Sequence, residues 1–207
     1  SESDINASVK TLLRISDDIT SVSATVNQIE WLRKQLEVIE TMLRPPKKKE
    51  KERPVLGEED EDLPEPEPAA EQSLDSPEAK RKAELLKTVE ALDKELQAIE
   101  YKLVSPAIVN SDDKYFVEPY HAYLNLIWLN AEVGTGGGDV AGGADFPPTD
   151  TQLDTLRLIE TEITGATAEF QKFLKDDLPA FNRVLGDNNV ALVVAAANAE
   201  PEQPKGN

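Results

Sequence analysis

Apolar residues recur every three or four positions from the start of the chain: Ile5, Val9, Leu12, Ile15, Ile19, Val22, Val26, Ile29, Leu32, Leu36, Ile39 and Leu43. That spacing places them on one stripe of a long α-helix. About 39 residues at 1.5 Å each make a rod on the order of 60 Å long, whose stripe needs other helices to cover it. Ser3 is the expected N-cap, with Asp4 in the first turn, where a negative charge favours the helix dipole. The stretch from Ile19 to Val26 is rich in Ser, Thr and Val, which are mediocre helix formers, so packing must hold it. Glu30 and Lys34 support the second half as an i,i+4 pair. Pro45 and Pro46 stop the helix, because a residue before proline is pushed out of the α region.

The periodic pattern is then lost over 45–75. A basic run (Lys47 to Arg53) precedes an acidic one (Glu58 to Asp62), and Pro64, Pro66 and Pro68 alternate with Glu. So few apolar residues cannot offset the entropy of ordering, which predicts a disordered charged, Pro/Glu/Lys-rich insertion. Ser76-Pro77-Glu78 restarts a helix over 76–105, with serine as cap and proline in the first turn. Its stripe is Leu85, Val89, Leu92, Leu96, Ile99 and Leu103, with Glu78–Lys82 and Glu90–Lys94 on the outer face. Ser105-Pro106 ends it, and the helix can return antiparallel along the first as a long hairpin.

After a loop over 107–118, Pro119 opens a third helix. Tyr120, Tyr123, Leu124, Ile127 and Ala131 lie on one side, with Leu126, Trp128 and Leu129 elsewhere, so it reads as the most buried element. Gly134 ends it, and a glycine-rich loop follows. Thr149 and Gln152 form a capping box for a fourth helix. That helix buries Leu153, Leu156, Ile159, Ile163, Ala166, Phe170 and Phe173. Leu178-Pro179 breaks it, a short terminal turn reaches Leu185, and 186–207 reads as a flexible tail despite Val190 to Val194. Residues 119–185 thus complete an all-α, antiparallel four-helix bundle.

Composition narrows the function without naming it. With 40 acidic against 22 basic residues, a net charge of -18 repels phosphate backbones and anionic lipid, so neither nucleic acid nor a membrane surface is an expected partner. There is no cysteine, which removes disulfide and zinc–thiolate chemistry. The longest apolar run, Val190 to Ala197, is too short to span a bilayer. The opening Ser1 and the lack of a signal pattern suggest a processed or excised piece of something longer.

Candidate chemistry is sparse. Glu118-Pro119-Tyr120-His121 has the Glu-x-x-His spacing of di-iron bundles. Such a site needs a second copy of the motif, and His121 is the only histidine. The single histidine also removes Ser-His-Asp and Cys-His schemes. Gly134 to Gly143 lacks the Lys-Ser/Thr of a phosphate loop. The acid pairs Asp17-Asp18, Asp112-Asp113 and Asp176-Asp177 read as solvated charges or caps. Of the two tryptophans, Trp128 reads as core. Trp31 sits beside the stripe and is the better interface residue. No catalytic residue, metal site or cofactor is expected.

Several stretches carry a family likeness. They are Ser3-Asp4-Ile5, the run Asn27 to Leu36, Tyr115-Phe116-Val117-Glu118-Pro119 leading to Leu124-Asn125-Leu126 and Leu129, Ala144-Asp145-Phe146-Pro147-Pro148-Thr149, and Asp177-Leu178-Pro179-Ala180-Phe181-Asn182 with Leu185. In their order the chain resembles the C-terminal helical region of bacterial secreted BNR/VPS10 (sortilin-like) β-propeller proteins, often labelled glycosyl-hydrolase-like. The resemblance implies a non-catalytic helical accessory module whose partners are the preceding β-propeller and β-sandwich domains of the same exported polypeptide. It places the location in the periplasm, on the outer surface or outside the cell. No Ser-x-Asp-x-Gly-x-x-Trp box of the propeller repeat occurs here. The interface residues expected from the residues and the resemblance together are Trp31, Leu178, Pro179, Phe181 and Asn182, on a monomer. The alternative is an intracellular, cytoplasmic coiled-coil adaptor that dimerises or binds a partner through helix 1.

Overall fold

Local signals account for most helix ends. The computed structural model describes residues 1–44, 76–105, 120–135 and 146–195. Among them α1 spans Glu2–Leu43, α2 Pro77–Leu103, α3 His121–Thr135, α4 Asp150–Lys172 and α5 Leu178–Asp187, with no strand. The chain is all-α over the described residues. The expected disordered insertion at 45–75 lies outside them.

The N-cap of α1 is Ser1 rather than Ser3: the Ser1 hydroxyl accepts from the Asp4 N–H at 3.3 Å, and Asp4 closes a capping box. Arg44 before Pro45 is extended (ψ 135), as the residue preceding a proline should be. Ser76 caps α2 by accepting from the Ala79 N–H at 3.1 Å, with Pro77 opening the helix and Glu78 3.1 Å from Lys82. The Thr149–Gln152 capping box opens α4 with bonds of 3.2 and 2.9 Å. Hydroxyls within 19–26 bond back to carbonyls four residues earlier, Ser23 to Ile19 and Thr25 to Ser21, which satisfies them inside the helix, while Ile19, Val22 and Val26 pack in the core.

The proline at 179 does not break the fourth helix. Residues Phe173–Asp177 form a π-helical turn, in which the Leu178 N–H reaches the Phe173 carbonyl, and α5 continues from Leu178 with Pro179 in its first turn. A proline ring collides with the carbonyl four residues back in an α-helix. One widened turn shifts that carbonyl and lets the rod continue.

The spine is α1, and its buried seam is a strict heptad. Positions 8, 15, 22, 29, 36 and 43, together with 11, 18, 25, 32 and 39, are all buried or half-buried. Near the start that seam carries Ser8 and Thr11, whereas Ile5 and Val9 are 45% and 49% exposed. The expected stripe is therefore one register off at its first two positions. The reason is a tertiary contact: Ser8 Oγ donates to the Phe146 carbonyl at 2.8 Å, so a hydroxyl serves the stretch that leads into α4.

Two core clusters divide the length of α1. Ile29, Leu32, Leu36 and Ile39 pack with α2, with the end of α4 (Phe170), with Phe173 and with α5. Ile15 and Val22 pack with Leu103 of α2, with α3 and with the first part of α4. Ion pairs set directions: Arg44 lies 3.8 Å from Glu90, and Arg33 meets Asp93 and Glu100, so α2 runs antiparallel to α1. Arg14 pairs with Glu160, while Phe170 shares a cluster with Ile29, so α4 runs the same way as α1. Gly134, near the end of α3, backs onto Leu12.

The third helix is not apolar-buried all round. It buries Ala122, Leu126, Leu129 and Val133, while Ile127 is 41% and Trp128 54% exposed. Trp128 is a surface residue, because the covered stripe lies on the other side of the helix. His121 begins α3 with a φ of 50, in the left-handed region.

Candidate functional site

The residues that the sequence marks near the end of the chain come together at the C-terminal half of α1. The last helix ends in a Schellman motif: the Val190 N–H bonds the Leu185 carbonyl at 2.9 Å and the Asn189 N–H bonds the Gly186 carbonyl at 3.1 Å. Asn189 takes the left-handed position with φ 55, a conformation its short polar side chain tolerates. Val190 and Leu185 belong to the same apolar cluster. The chain is thereby turned off the helix axis and continues without helix through 190–195.

This segment is held between two side-chain amides. Asn182 of α5 donates from Nδ2 to the Val193 carbonyl at 2.8 Å, and its Oδ1 accepts from the Val193 N–H at 2.8 Å. Gln35 of α1 donates from Nε2 to the Val194 carbonyl at 2.9 Å and accepts from the Val194 N–H at 3.0 Å. Each primary amide thus satisfies both backbone groups of one residue, as a neighbouring strand would. Val193 is only 3% exposed and joins the core cluster with Leu178, Phe181 and Leu185. Its neighbours Leu192 and Val194 point out, at 56% and 64% exposed. The reading of 186–207 as a flexible tail is therefore corrected for 186–195; the rest lies outside the described residues. The run Val190 to Val194 is docked because its backbone polar groups find partners and Val193 finds a pocket.

Each expected interface residue can now be placed. Trp31, at 52% exposure, lies one turn before Gln35, whose Nε2 also reaches the Trp31 carbonyl at 3.3 Å. Val38 (53%) and Met42 (72%) are exposed on α1, and positions 31, 35, 38 and 42 share one helical face. Leu178 and Phe181 are buried, so they form the floor of the site rather than its contact surface. Pro179 is exposed beside them, and Asn182 is half of the clasp. Gln35 and Val193 are the participants that sequence reasoning missed. The apolar run after Gly186-Asp187-Asn188-Asn189 is the signal that points to Val193.

Charged groups lie both beside this region and elsewhere along α1. An open groove of about 470 Å³ between α1 and α2 is lined by Glu30, Lys34, Glu37 and Glu40 around Arg33, Asp93 and Glu100. Glu100 is 5% exposed and bonds the Arg33 guanidinium at 2.7 Å, and Asp93 meets Nε of the same group at 2.9 Å. Burial works against the Arg33 cation, and the bonds to Asp93 and Glu100 outweigh it, raising its pKa. In the other half of the chain Asp18 is not a solvated charge. It occupies a seam position, its Oδ2 is buried with no hydrogen-bond partner, and burial followed by the Glu160 carboxylate raises its pKa against the pull of Arg14. Glu95 is raised by burial and then by Asp177. Among the described residues no group of three or more His, Cys, Asp or Glu side chains is placed to hold a metal. Glu118 and the pair Asp112-Asp113 lie outside those residues.

Fold and site together define an all-helical chain whose most constructed polar feature binds backbone. No protein-family model matches the chain, and neither a curated protein nor a solved structure is similar to it.

Proposed function

We propose that this chain is a non-catalytic helical accessory module, arranged as a bundle along α1, that works by interaction. In keeping with the resemblance, its partners are the preceding β-propeller and β-sandwich domains of an exported, glycosyl-hydrolase-like polypeptide. One observation carries the interaction reading: Trp31, Val38 and Met42 form an exposed apolar face on α1 directly beside the clasp, although the core beneath is already filled. Aromatic and Met side chains left outside a complete core are the residues that anchor partners. The paired contacts described above support the bundle arrangement, with α2 and α3 covering successive halves of α1. The test is the size and cell fraction of the native polypeptide, detected with an antibody to the α4 stretch from Thr149 to Phe173. A band several times larger than 22.8 kDa in the exported fraction is expected. A cytoplasmic band at the chain's own size overturns the attachment to β-domains.

A second reading is an intracellular coiled-coil adaptor that pairs through helix 1. It draws on Ile5, Val9 and Leu13, which are exposed at the start of α1. Concentration-dependent dimers that Ile5→Ser and Leu13→Ser abolish would favour it, and monomers at every concentration would remove it. Among the described residues no helix is long and apolar enough to cross a membrane.

A further inference from the structure

We infer that the clasp formed by Gln35 and Asn182 is a binding site for an extended aliphatic peptide strand. Segment 190–195 is its resident occupant, and a strand of the same chemistry on a partner polypeptide replaces it. Four hydrogen bonds of 2.8 to 3.0 Å run from the two side-chain amides to the N–H and C=O groups of Val193 and Val194. These bonds read backbone, which every peptide offers, so they select conformation and not sequence. Sequence enters at one place: the Val193 side chain is almost wholly buried against the α5 cluster. An aliphatic residue is required there and a charged one is excluded.

Three features separate a strand-accepting site from a tail that has merely settled. The amides come from different helices, Gln35 from α1 and Asn182 from α5, so both are positioned by the helical framework and not by the segment they hold. Leu192 and Val194 alternate outward, more than half exposed, so within 192–194 only Val193 is committed, while Val190 packs at the turn that leads in. Val194 borders the Trp31–Val38–Met42 face through the bond to Gln35, so a partner strand arriving in the clasp would bring its remaining surface against that face.

The partner is thus an extended segment with an aliphatic residue in the place of Val193. The inference rests on the interaction reading and names the partner class.

The test uses the full chain and a fluorescent peptide of the sequence from Asn189 to Ala195, followed by anisotropy. Val193→Asp empties the clasp, and a site filled in cis more than nine-tenths of the time should gain affinity about tenfold or more when freed. The expected result is that V193D binds the peptide at least about tenfold more tightly than the parent chain. Adding Asn182→Leu should abolish that binding, as should a peptide with Asp in place of its Val193. Equal affinity for the parent chain and V193D, or binding that survives Asn182→Leu and Gln35→Leu together, overturns the proposal. Should V193D lose its helical circular dichroism, amide exchange of the unaltered chain decides. Saturating unlabelled peptide should speed exchange at the chain's own Val193 and Val194 amides, and unchanged protection there overturns the proposal. Failure of either kind leaves the native size and location of the polypeptide to decide the attachment to β-domains separately.

Discussion

Replacing Arg33 by leucine should be among the most damaging single changes to a polar residue in this chain. Its guanidinium bonds Asp93 at 2.9 Å and Glu100 at 2.7 Å, with a third contact of 3.4 Å to Asp93. The three partners are not equally buried: the side chain of Glu100 is 7% exposed, against 26% for Arg33 and 34% for Asp93. Removing the cation lets Asp93 rehydrate, which costs under about 1 kcal/mol. Glu100 cannot rehydrate, so its carboxylate is left buried without its cation, at a cost of about 3 kcal/mol. Glu100→Leu alone should cost about 1 kcal/mol, because Arg33 keeps Asp93 and part of its hydration. In the double variant no charge is stranded, and two leucines fill similar volume between α1 and α2. Its cost should be about 1 kcal/mol, leaving a coupling of about 3 kcal/mol in the cycle.

Urea unfolding of the full chain, followed by circular dichroism at 222 nm, measures this directly. With a slope of about 2 kcal/mol/M, Arg33→Leu should lower the midpoint by about 1.5 M at unchanged slope, and Glu100→Leu added to it should restore most of the loss. A single variant that moves the midpoint by under about 0.3 M refutes the reasoning. So does a double variant that costs the sum of the singles, because stranding a charge is what the magnitude rests on.

Two further outcomes follow from residues outside this cluster. Asp18 is raised above the ordinary carboxylate pKa by burial and by Glu160, so the folded chain binds its proton more tightly than the unfolded chain does. The stability tied to that group is full below the ordinary carboxylate value and is lost as pH rises through the raised one. Asp18→Asn should therefore stabilise the chain by about 1 kcal/mol at pH 7, its Nδ2 being able to donate to Glu160, and the gain should vanish near pH 3; a loss at pH 7, or an equal gain at both pH values, contradicts this. Trp31 and Trp128 are both more than half exposed, so native emission should be that of hydrated indole, acrylamide should quench it readily, and Trp128→Ala should change stability by no more than about 0.5 kcal/mol. A loss of about 3 kcal/mol would return Trp128 to the core.

The helices were legible because capping and proline signals act within four residues. Ser76-Pro77, Thr149–Gln152 and Arg44 before Pro45 do in the structure what their local chemistry requires. The register of α1 was harder to read, and the reason is specific. Four of its eleven seam positions carry Ser8, Thr11, Asp18 and Thr25, so counting apolar residues draws the stripe toward Ile5 and Val9 instead. A hydroxyl at Ser8 belongs on the buried face because it serves a carbonyl at Phe146, a partner 138 residues away that no helical period reveals. Trp128 misled for the complementary reason. A short helix with apolar residues all round reads as buried, yet only the side facing α1, α2 and α4 is covered. Pro179 reads as a stop because the α-helical carbonyl ladder excludes it, and a single π turn removes that exclusion.

The clasp lies at the far end of this scale. Asn182 stood among the expected interface residues, whereas Gln35, 159 residues from the Val194 it holds, sits in the run Asn27 to Leu36 with nothing to single it out as a contact residue. An amide that bonds backbone has no required spacing and no required neighbour, so it leaves no periodic trace. What the sequence does show is an aliphatic run, Val190 to Val194, following a turn of Gly, Asp and two Asn residues. Such a run either frays or finds a surface, and the choice depends on whether its N–H and C=O groups can be satisfied away from water. Here two helices supply the missing partners. The binding surface is therefore a property of the fold, and only its occupant is written in the local sequence.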